Sequence, residues 1–328
     1  MRYRFDEIAF NSTAKKKPTE DDKETYIGLE HLDSECLNIC RWGSEVAPVG
    51  EKLIMKRGDI LFGKRRAYQR KVGIAPFDGI FSAHGMVLRP KEEVINKDFF
   101  PFFISSDQFM ERAVRISVGG LSPTINWKDL REQEFEIPPL DEQKVLADKL
   151  WTAYRLKESY KKLLTATQEM VKSQFIEMFK GDDQVPLGDI CNIEKGATIT
   201  RNDVLPGDVP VVAGGQEPSC YHNVANREAG AITVSASGAY AGYINFWSSP
   251  IFASDSNTVI SKDNEKTDQT FVYFGLKAMQ KQIYGLQKGG AQPHVYGKDL
   301  QKFMFPHPSY AKQIEFSKMA KQADKSEL

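Results

Sequence analysis

The chain has 328 residues, of which 44 are basic and 44 acidic, so its formal net charge is zero. This length predicts two domains, and the neutral balance excludes a uniformly basic nucleic-acid-binding protein, so any such interface must come from local clustering of charge. No apolar run approaches the roughly 20 residues needed to span a bilayer, and the N-terminus lacks the apolar stretch of a signal peptide, which predicts a cytoplasmic protein with no membrane partner.

Residues 1–140 are typical of a compact domain built on a mixed sheet. Short β-branched and aromatic runs punctuated by glycine predict strands at 26–29, 60–62, 72–75 and 86–88. Residues 94–116 are predicted to be helical, and the charged stretch 15–23 is predicted to be an exposed loop. Cys36 and Cys40 are spaced to share a helix face. The four cysteines show no zinc-like spacing, so we expect reduced thiols at Cys36, Cys40, Cys191 and Cys220.

Residues 141–180 predict one long helix. They contain no glycine or proline, and Gly181 follows as a stop signal. Asp141 is the expected N-cap, with Leu140 and Val145 as a hydrophobic staple. Apolar residues recur at spacings of three and four or their sums, at Leu146, Leu150, Ala153, Tyr160, Leu164, Val171 and Met178. A helix of this length would extend roughly 58 Å and would expose that stripe, so it requires a partner helix.

Residues 181–308 predict a second domain, and residues 309–328 begin a second helix with apolar positions at Ile314, Phe316 and Met319. This second helix is shorter than the first, so it is either naturally short or truncated. We expect the two helices to pack together as an antiparallel coiled coil, which gives an α+β fold of two similar mixed-sheet domains separated by long helices.

The second domain repeats the first. The segments 119–143 and 289–313 align without a gap and share nine residues, among them the Gly-Gly pair, Lys-Asp-Leu and a final glutamine, Gln143 or Gln313. The similarity continues upstream with small slips: Ala67-Tyr68 matches Ala239-Tyr240, and the sequence Phe81-Ser-Ala matches Phe252-Ala-Ser. A repeat of this length indicates two copies of one domain. Two similar modules suit a ligand with its own two-fold character, such as duplex DNA.

Three stretches carry a resemblance to a known family: GDILFGKRR at 58–66, IPPLDEQ at 137–143 and GGAQPHVYGKDL at 289–300. Together with the duplication, they resemble the specificity (S) subunit of type I restriction-modification systems. The resemblance implies two target recognition domains that each bind half of a split DNA sequence, with helices between them as a molecular ruler.

The same resemblance implies the partners of the chain. These are double-stranded DNA, two adenine methyltransferase (M) subunits and restriction/translocase (R) subunits. S-adenosylmethionine, ATP and Mg²⁺ would be bound by those subunits, so no cofactor is expected in this chain. A methylation-only or other defence complex remains open as an alternative, as do a small-ligand-binding enzyme and a scaffold in which only the helix matters.

The first DNA-binding candidates lie in a basic run. Seven basic residues fall between Lys56 and Lys71, against the single acid Asp59. Arginine and lysine suit phosphates, and arginine or glutamine suits base edges in the major groove. The candidates are Lys64, Arg65, Arg66, Tyr68, Gln69, Arg70 and Lys71; the alternative is a solvated surface loop.

The matching stretch of the second domain has no charge, so hydroxyl groups, backbone N–H groups and tyrosines would make its contacts. Its candidates are Ser235, Ser237, Tyr240 and Tyr243. The Gly-Gly loops of both domains allow the backbone to approach a ligand closely, and the resemblance places such loops at the DNA face. Their candidates are Ser122, Thr124, Asn126, Lys288, Gln292 and His294; the alternative is a tight turn before a strand.

No catalytic residue is expected. The sequence PLDEQK at 139–144 faintly resembles a nuclease motif, but acids are usual at a helix N-terminus, which is the interpretation we prefer. The five histidines form no metal-binding pattern, and no S-adenosylmethionine loop or adenine methyltransferase motif occurs.

Overall fold

The computed structural model describes residues 1–323. It divides the chain into two compact α+β units, Met1–Glu158 and the residues from Ser159 onward. The boundary falls inside the long helix, so each unit contains part of that helix.

The first unit contains ten strands and four helices before the long helix. In chain order they are β1 (Arg2–Arg4), α1 (Phe5–Ile8), β2 (Ala9–Ser12), β3 (Lys15–Lys16), β4 (Tyr26–Ile27), β5 (Lys52–Met55), β6 (Ile60–Phe62), β7 (Val72–Ile74), β8 (Gly79–Phe81), β9 (Met86–Pro90), α2 (Phe100–Ser105), α3 (Asp107–Arg115), α4 (Trp127–Leu130), β10 (Glu134–Glu136) and the long helix α5 (Leu140–Phe179). Three short 3₁₀ turns lie at Glu20–Thr25, Leu29–His31 and Ala67–Gln69.

The second unit follows the same plan. Its elements are β11 (Gln184–Pro186), α6 (Leu187–Ile190), β12 (Cys191–Lys195), β13 (Val209–Val212), β14 (Cys220–His222), β15 (Ala231–Ser235), β16 (Ile244–Trp247), β17 (Phe252–Ala253), β18 (Ser256–Ser261), α7 (Gln269–Ala278), α8 (Gln280–Tyr284), α9 (Gly297–Gln301), β19 (Met304–Pro306) and α10 (Tyr310–Ala323). The predicted helix residues 324–328 lie outside the described residues.

Each unit is built on a four-stranded antiparallel sheet with the same strand order, β2-β9-β6-β7 in the first and β12-β18-β15-β16 in the second. A two-stranded pair joins the two ends of each domain, β1 with β10 and β11 with β19. The second sheets differ: β3-β5-β8-β4 against β14-β13-β17. The shared core and divergent edges confirm the predicted fold class, with insertions confined to the segments where the repeat slips.

Most predicted elements of the first domain are confirmed, and three expectations are wrong. The helical stretch breaks at Ser106, whose hydroxyl caps α3 by accepting the Phe109 N–H. The segment 15–23 is not a plain loop. Its Asp22 is buried and accepts hydrogen bonds from Lys16 Nζ at 2.9 Å and from the Thr19 N–H at 2.7 Å, and the latter bond lowers the pKa of Asp22. The residues from Cys36 to Cys40 form no helix.

A buried glutamine fixes the start of α5 to the first domain. The helix begins one residue earlier than predicted, so Asp141 lies in its first turn rather than at the cap. Gln143 is 1% exposed; it accepts the Asn96 N–H at 2.7 Å and donates to the carbonyls of Val94 and Pro138 at 3.0 and 2.8 Å. In α10 the same bonds recur: Gln313 accepts the Asp268 N–H and donates to the carbonyls of Lys266 and Pro308.

The other end of α5 enters the core of the second unit. Phe175 and Phe179 are buried there, and both rings pack against Phe316 of α10, at centroid distances of 5.4 and 5.6 Å. This contact confirms the expected packing of the two helices. Apolar side chains in the middle of α5 are exposed: Leu156, Tyr160, Leu163 and Leu164.

Tyr154 ties α5 to a loop of the first domain, which gives a test of that attachment. Its hydroxyl accepts the N–H groups of Leu37 at 2.9 Å and Asn38 at 3.1 Å. Tyr154→Phe should leave both donors without this partner and lower the free energy of unfolding by about 1–3 kcal/mol. Urea denaturation measures the change, with Tyr160→Phe as the control because Tyr160 is exposed. Equal stability of the two variants would contradict this role.

Candidate nucleic-acid interface

In the first unit, the two predicted DNA-binding segments lie side by side. The Arg66 N–H donates to the Pro123 carbonyl at 2.7 Å, and the Ile125 N–H donates to the Lys64 carbonyl at 2.9 Å. Val118 and Thr124 exchange backbone hydrogen bonds of 3.1 and 2.9 Å, which close the Gly-Gly loop into a small hairpin. We call residues 64–66 together with 118–125 the first loop pair.

The second unit builds the same arrangement from its own residues. The Gly238 N–H donates to the Pro293 carbonyl at 3.0 Å, and the Val295 N–H donates to the Ala236 carbonyl at 2.9 Å. Lys288 closes the hairpin through reciprocal bonds with His294. Residues 236–238 together with 288–295 form the second loop pair. Segments that are fifty or more residues apart in each domain therefore make one surface.

The first loop pair presents two exposed arginines. Arg65 and Arg66 are both exposed, and Arg65 Nη2 donates to the Ser122 hydroxyl at 3.2 Å. Lys64 is half-buried; burial lowers the pKa of its ammonium group, and the charge of Lys15 lowers it further. Tyr68 is exposed beside them. Arg65 and Arg66 are therefore the cations best placed to meet a phosphate.

Other members of the basic run bind their own domain. Arg70 Nη1 lies 2.7 Å from an oxygen of Asp107, and Nη2 donates to the Ser105 carbonyl at 2.9 Å. Lys71 Nζ donates to the Leu29 carbonyl at 2.7 Å. These bonds hold both side chains against their own domain, so we expect their main role to be holding the loop. Gln69 is half-buried, and its backbone carbonyl accepts a hydrogen bond from the Ser34 hydroxyl at 2.6 Å.

Two candidates of the second domain are not exposed at its loop pair. Ser235 is 4% exposed because it ends the buried strand β15, and its hydroxyl faces the Gly215 carbonyl at 3.4 Å. Tyr243 lines a cavity of about 360 Å³ beside α7, where the Lys277 ammonium lies 5.2 Å from its ring centroid. Burial of Ser235 leaves its hydroxyl unavailable to DNA.

The remaining second-domain candidates are accessible. Tyr240 and Gln292 are exposed, and Ser237 is half-buried with its hydroxyl directed at Asp255. The His294 ring stacks on Tyr296, with 5.9 Å between centroids. Lys288 forms an ion pair with Asp299 at 2.7 Å.

Two first-domain candidates have local partners. Thr124 Oγ1 donates to the Ser122 carbonyl at 3.1 Å, and the exposed Asn126 directs its amide at Asp129, 3.4 Å away.

Sequence reasoning missed one residue at each loop pair. The Arg65 N–H donates to the His84 carbonyl at 3.3 Å, and the Ala236 N–H donates to the Asp255 carbonyl at 3.1 Å. Both residues directly follow the repeated Phe81 and Phe252 segments. That position in the repeat was the available signal, but the two residues differ, so no shared side chain marked them.

Two arginines occupy backbone positions at which the second domain has glycine. Arg66 and Arg70 have φ of 57° and 52°, in the left-handed region, whereas their counterparts Gly238 and Gly242 have φ of 83° and 90°. A residue with a Cβ atom is strained there by about 1–2 kcal/mol, but glycine is not. The first domain thus has arginine at two positions where the left-handed backbone conformation favours glycine.

Arg66→Gly should therefore stabilise the protein by about 1 kcal/mol while weakening its binding to DNA. Thermal unfolding and a gel-shift titration measure the two effects separately. Arg65→Gly is the control, because it removes the same charge at the neighbouring position, where φ is not positive; it should destabilise the protein. Loss of stability in both variants would show that Arg66 is not strained.

No helix within residues 1–323 is long and apolar enough to cross a membrane. In the same part of the chain, no group of three His, Cys, Asp or Glu side chains is arranged to hold a metal ion.

Comparisons with known proteins agree with the repeat and the fold. The family model described as the type I restriction modification DNA specificity domain matches the chain twice, over residues 7–166 and 181–328. The specificity subunit of the type I restriction enzyme EcoDI from Escherichia coli is 25% identical over 185 residues, which are 55% of this chain and 41% of that relative's length. A crystal structure of a type I restriction-modification S subunit from M. genitalium has a TM-score of 0.62 at 17% identity, covering 99% of this chain and 89% of that one.

The structural match supports the fold, and the two family matches follow the two units of the internal repeat. Since those matches cover nearly the whole chain, this protein belongs to the family of type I restriction-modification DNA specificity domains.

Proposed function

We propose that this chain binds a bipartite DNA target, with one half-site for each domain, and directs adenine methylation and restriction by partner subunits to that target. The observation that carries the proposal is the pair of loop surfaces. Both are built by the same backbone hydrogen bonds, but they present different side chains: Arg65 and Arg66 in the first, Ser237 and His294 in the second. One scaffold with two different surfaces suits the recognition of two different sequences.

The chemistry of the loop pairs supports this role. Arginine binds phosphate oxygens and the edge of guanine in the major groove, whereas hydroxyl groups make uncharged hydrogen bonds to base edges. The first domain then supplies most of the electrostatic attraction, because its loop pair is the basic one. The second domain contributes contacts that depend less on salt.

Partner subunits complete the proposed activity. Two methyltransferase subunits would bring S-adenosylmethionine, and restriction subunits would bring ATP and Mg²⁺, all acting on DNA in the cytoplasm. Membership of the family supports these partners. The exposed apolar side chains of α5, such as Leu156 and Leu163, offer a helical surface on which such subunits can pack.

Exchange of one domain tests the proposal. Residues 1–158 are replaced by the corresponding unit of another family member, a boundary that keeps Tyr154 with the loop it binds. Methylome sequencing of cells that express the complex should show one half-site changed and the other retained. A change in both half-sites with the fold preserved would contradict independent recognition, and the absence of any sequence preference in the parent chain would contradict the proposed function.

A further inference from the structure

Asp255 lies at the second loop pair, in the turn between β17 and β18. Its carbonyl accepts the Ala236 N–H at 3.1 Å, and its Oδ2 accepts the hydroxyl of Ser237 in a short hydrogen bond. The residue is half-buried. Two bonds from one strand end therefore fix both the backbone and the carboxylate of Asp255 at this surface.

The carboxylate has unused capacity as an acceptor. Within residues 1–323, Oδ1 accepts no hydrogen bond and no cation pairs with Asp255. Because the Ser237 proton is committed to Oδ2, the oxygen of this half-buried serine can act only as an acceptor toward any further group. Together the two side chains present oxygen lone pairs and no free donor.

Phosphates repel a carboxylate at a DNA surface. Asp255 therefore cannot serve to bind the sugar-phosphate backbone of DNA, and we look for another partner. The segment 236–242 carries no basic residue that would neutralise it. A hydrogen-bond donor on a base edge is the group that an acceptor-only pair can bind. In the major groove these donors are the N4 amino group of cytosine and the N6 amino group of adenine.

Cytosine fits the pair better than adenine. Adenine presents the N7 acceptor beside its amino group, and a second carboxylate oxygen facing N7 would be repelled, whereas cytosine presents only its amino group and an apolar edge. Guanine and thymine offer acceptors at the corresponding places and would be rejected.

We infer that Asp255, positioned by Ser237, recognises the amino group of a cytosine in the half-site bound by the second domain. This inference rests on the proposed function and adds to it the chemistry of one base contact. The first domain differs here, since His84 occupies the corresponding turn beside Arg65.

Asp255→Asn is the central test, because asparagine keeps the shape but replaces an acceptor with a donor. The full chain in its complex is used to select bound duplexes from a random pool, and the selected pool is sequenced. We expect the preference for cytosine at one position of the second half-site to fall on the order of tenfold or more, with the first half-site unchanged. Selection of adenine rather than cytosine by the parent chain would overturn the choice between the two amino groups.

Two further variants keep the test decisive. Ser237→Ala removes the hydroxyl that orients the carboxylate and should weaken the preference at the same position; it decides the matter alone if Asp255→Asn fails to fold by circular dichroism. Glu265→Gln removes an equal charge beyond the opposite end of β18 and should leave every base preference intact.

The outcomes separate the inference from the proposed function. An unchanged sequence preference in both loop variants would overturn the role of Asp255 while leaving the proposed function in place. A changed preference in Glu265→Gln would also overturn it, since loss of charge alone would then be sufficient. A parent complex that selects no sequence would overturn the proposed function itself.

Discussion

Replacing Phe175 with alanine should destabilise the second unit by about 3–5 kcal/mol, the usual cost of removing a large buried aromatic side chain. Phe175 is 3% exposed, and its ring packs against those of Phe271, Phe305 and Phe316 at centroid distances of 5.6, 6.1 and 5.4 Å. A helix outside the sheet thereby supplies a central part of the core of this unit.

In the first unit the corresponding place is filled by a residue of the domain itself. At the position that corresponds to Gly275 it has Phe103, which packs against Phe135 at 5.3 Å and closes the core from within. In the second unit, a Cβ atom on Gly275 would lie 2.8 Å from the ring of Phe175. The glycine makes room for the ring that α5 contributes, so the effect of Phe175→Ala should be confined to the second unit.

Urea denaturation followed by circular dichroism measures this loss of stability. Ile176→Ala is the matched control, because Ile176 is the next residue of the same helix and is 50% exposed; its removal should cost less than about 1 kcal/mol. Similar losses in the two variants would show that the phenylalanine is not a core residue.

Replacing Arg65 and Arg66 together with alanine should produce the largest loss of DNA binding. Each lost phosphate contact reduces the slope of log affinity against log salt by about 0.9, so the pair should reduce it by about 1.8. Affinity should fall by roughly tenfold or more for each arginine, because hydrogen bonds to charged groups contribute about 1.5–3 kcal/mol. Gel-shift titrations at several salt concentrations give both quantities.

The variant Lys157→Ala with Lys162→Ala is the control, since it removes two exposed positive charges from α5 rather than from the loop pair. Its salt slope should stay close to that of the parent chain. Arg70→Ala should behave differently from both variants, because it removes the ion pair with Asp107. Its main effect should be a loss of stability, with little change in the salt slope. An unchanged slope in the Arg65 and Arg66 variant would place the first loop pair away from DNA.

The repeat made the general architecture predictable. Gly-Gly loops, the Lys-Asp-Leu motif and the closing glutamines recur at a nearly constant offset, and periodicity was sufficient to locate β6, β7, β9 and α5 to within about two residues. The pairing of the loops could not be predicted, because it depends on backbone hydrogen bonds such as that from Arg66 to Pro123, which any residue type can make.

The individual side chains were less predictable for related reasons. Arg70 counts toward the basic cluster in the sequence, but its partners Glu35 and Asp107 come from distant segments. Ser235 resembles Ser237 as a hydroxyl donor, yet it is buried because every residue of β15 is packed, on both faces of the strand. Asp255 is marked only by its position after the repeated Phe252 segment, because the first domain has a different side chain, His84, at that place.

The glutamine that fixes each domain to its following helix has a consequence for how such chains change over generations. Gln143 and Gln313 make the same three hydrogen bonds to the same places in their domains. A genetic crossover in the stretch encoding residues 138–143 or 308–313 would join any sister domain to an existing helix and still restore this attachment. Both domains are therefore attached to their helices by the same hydrogen bonds. Recombination of whole domains can change the target specificity while these bonds are retained.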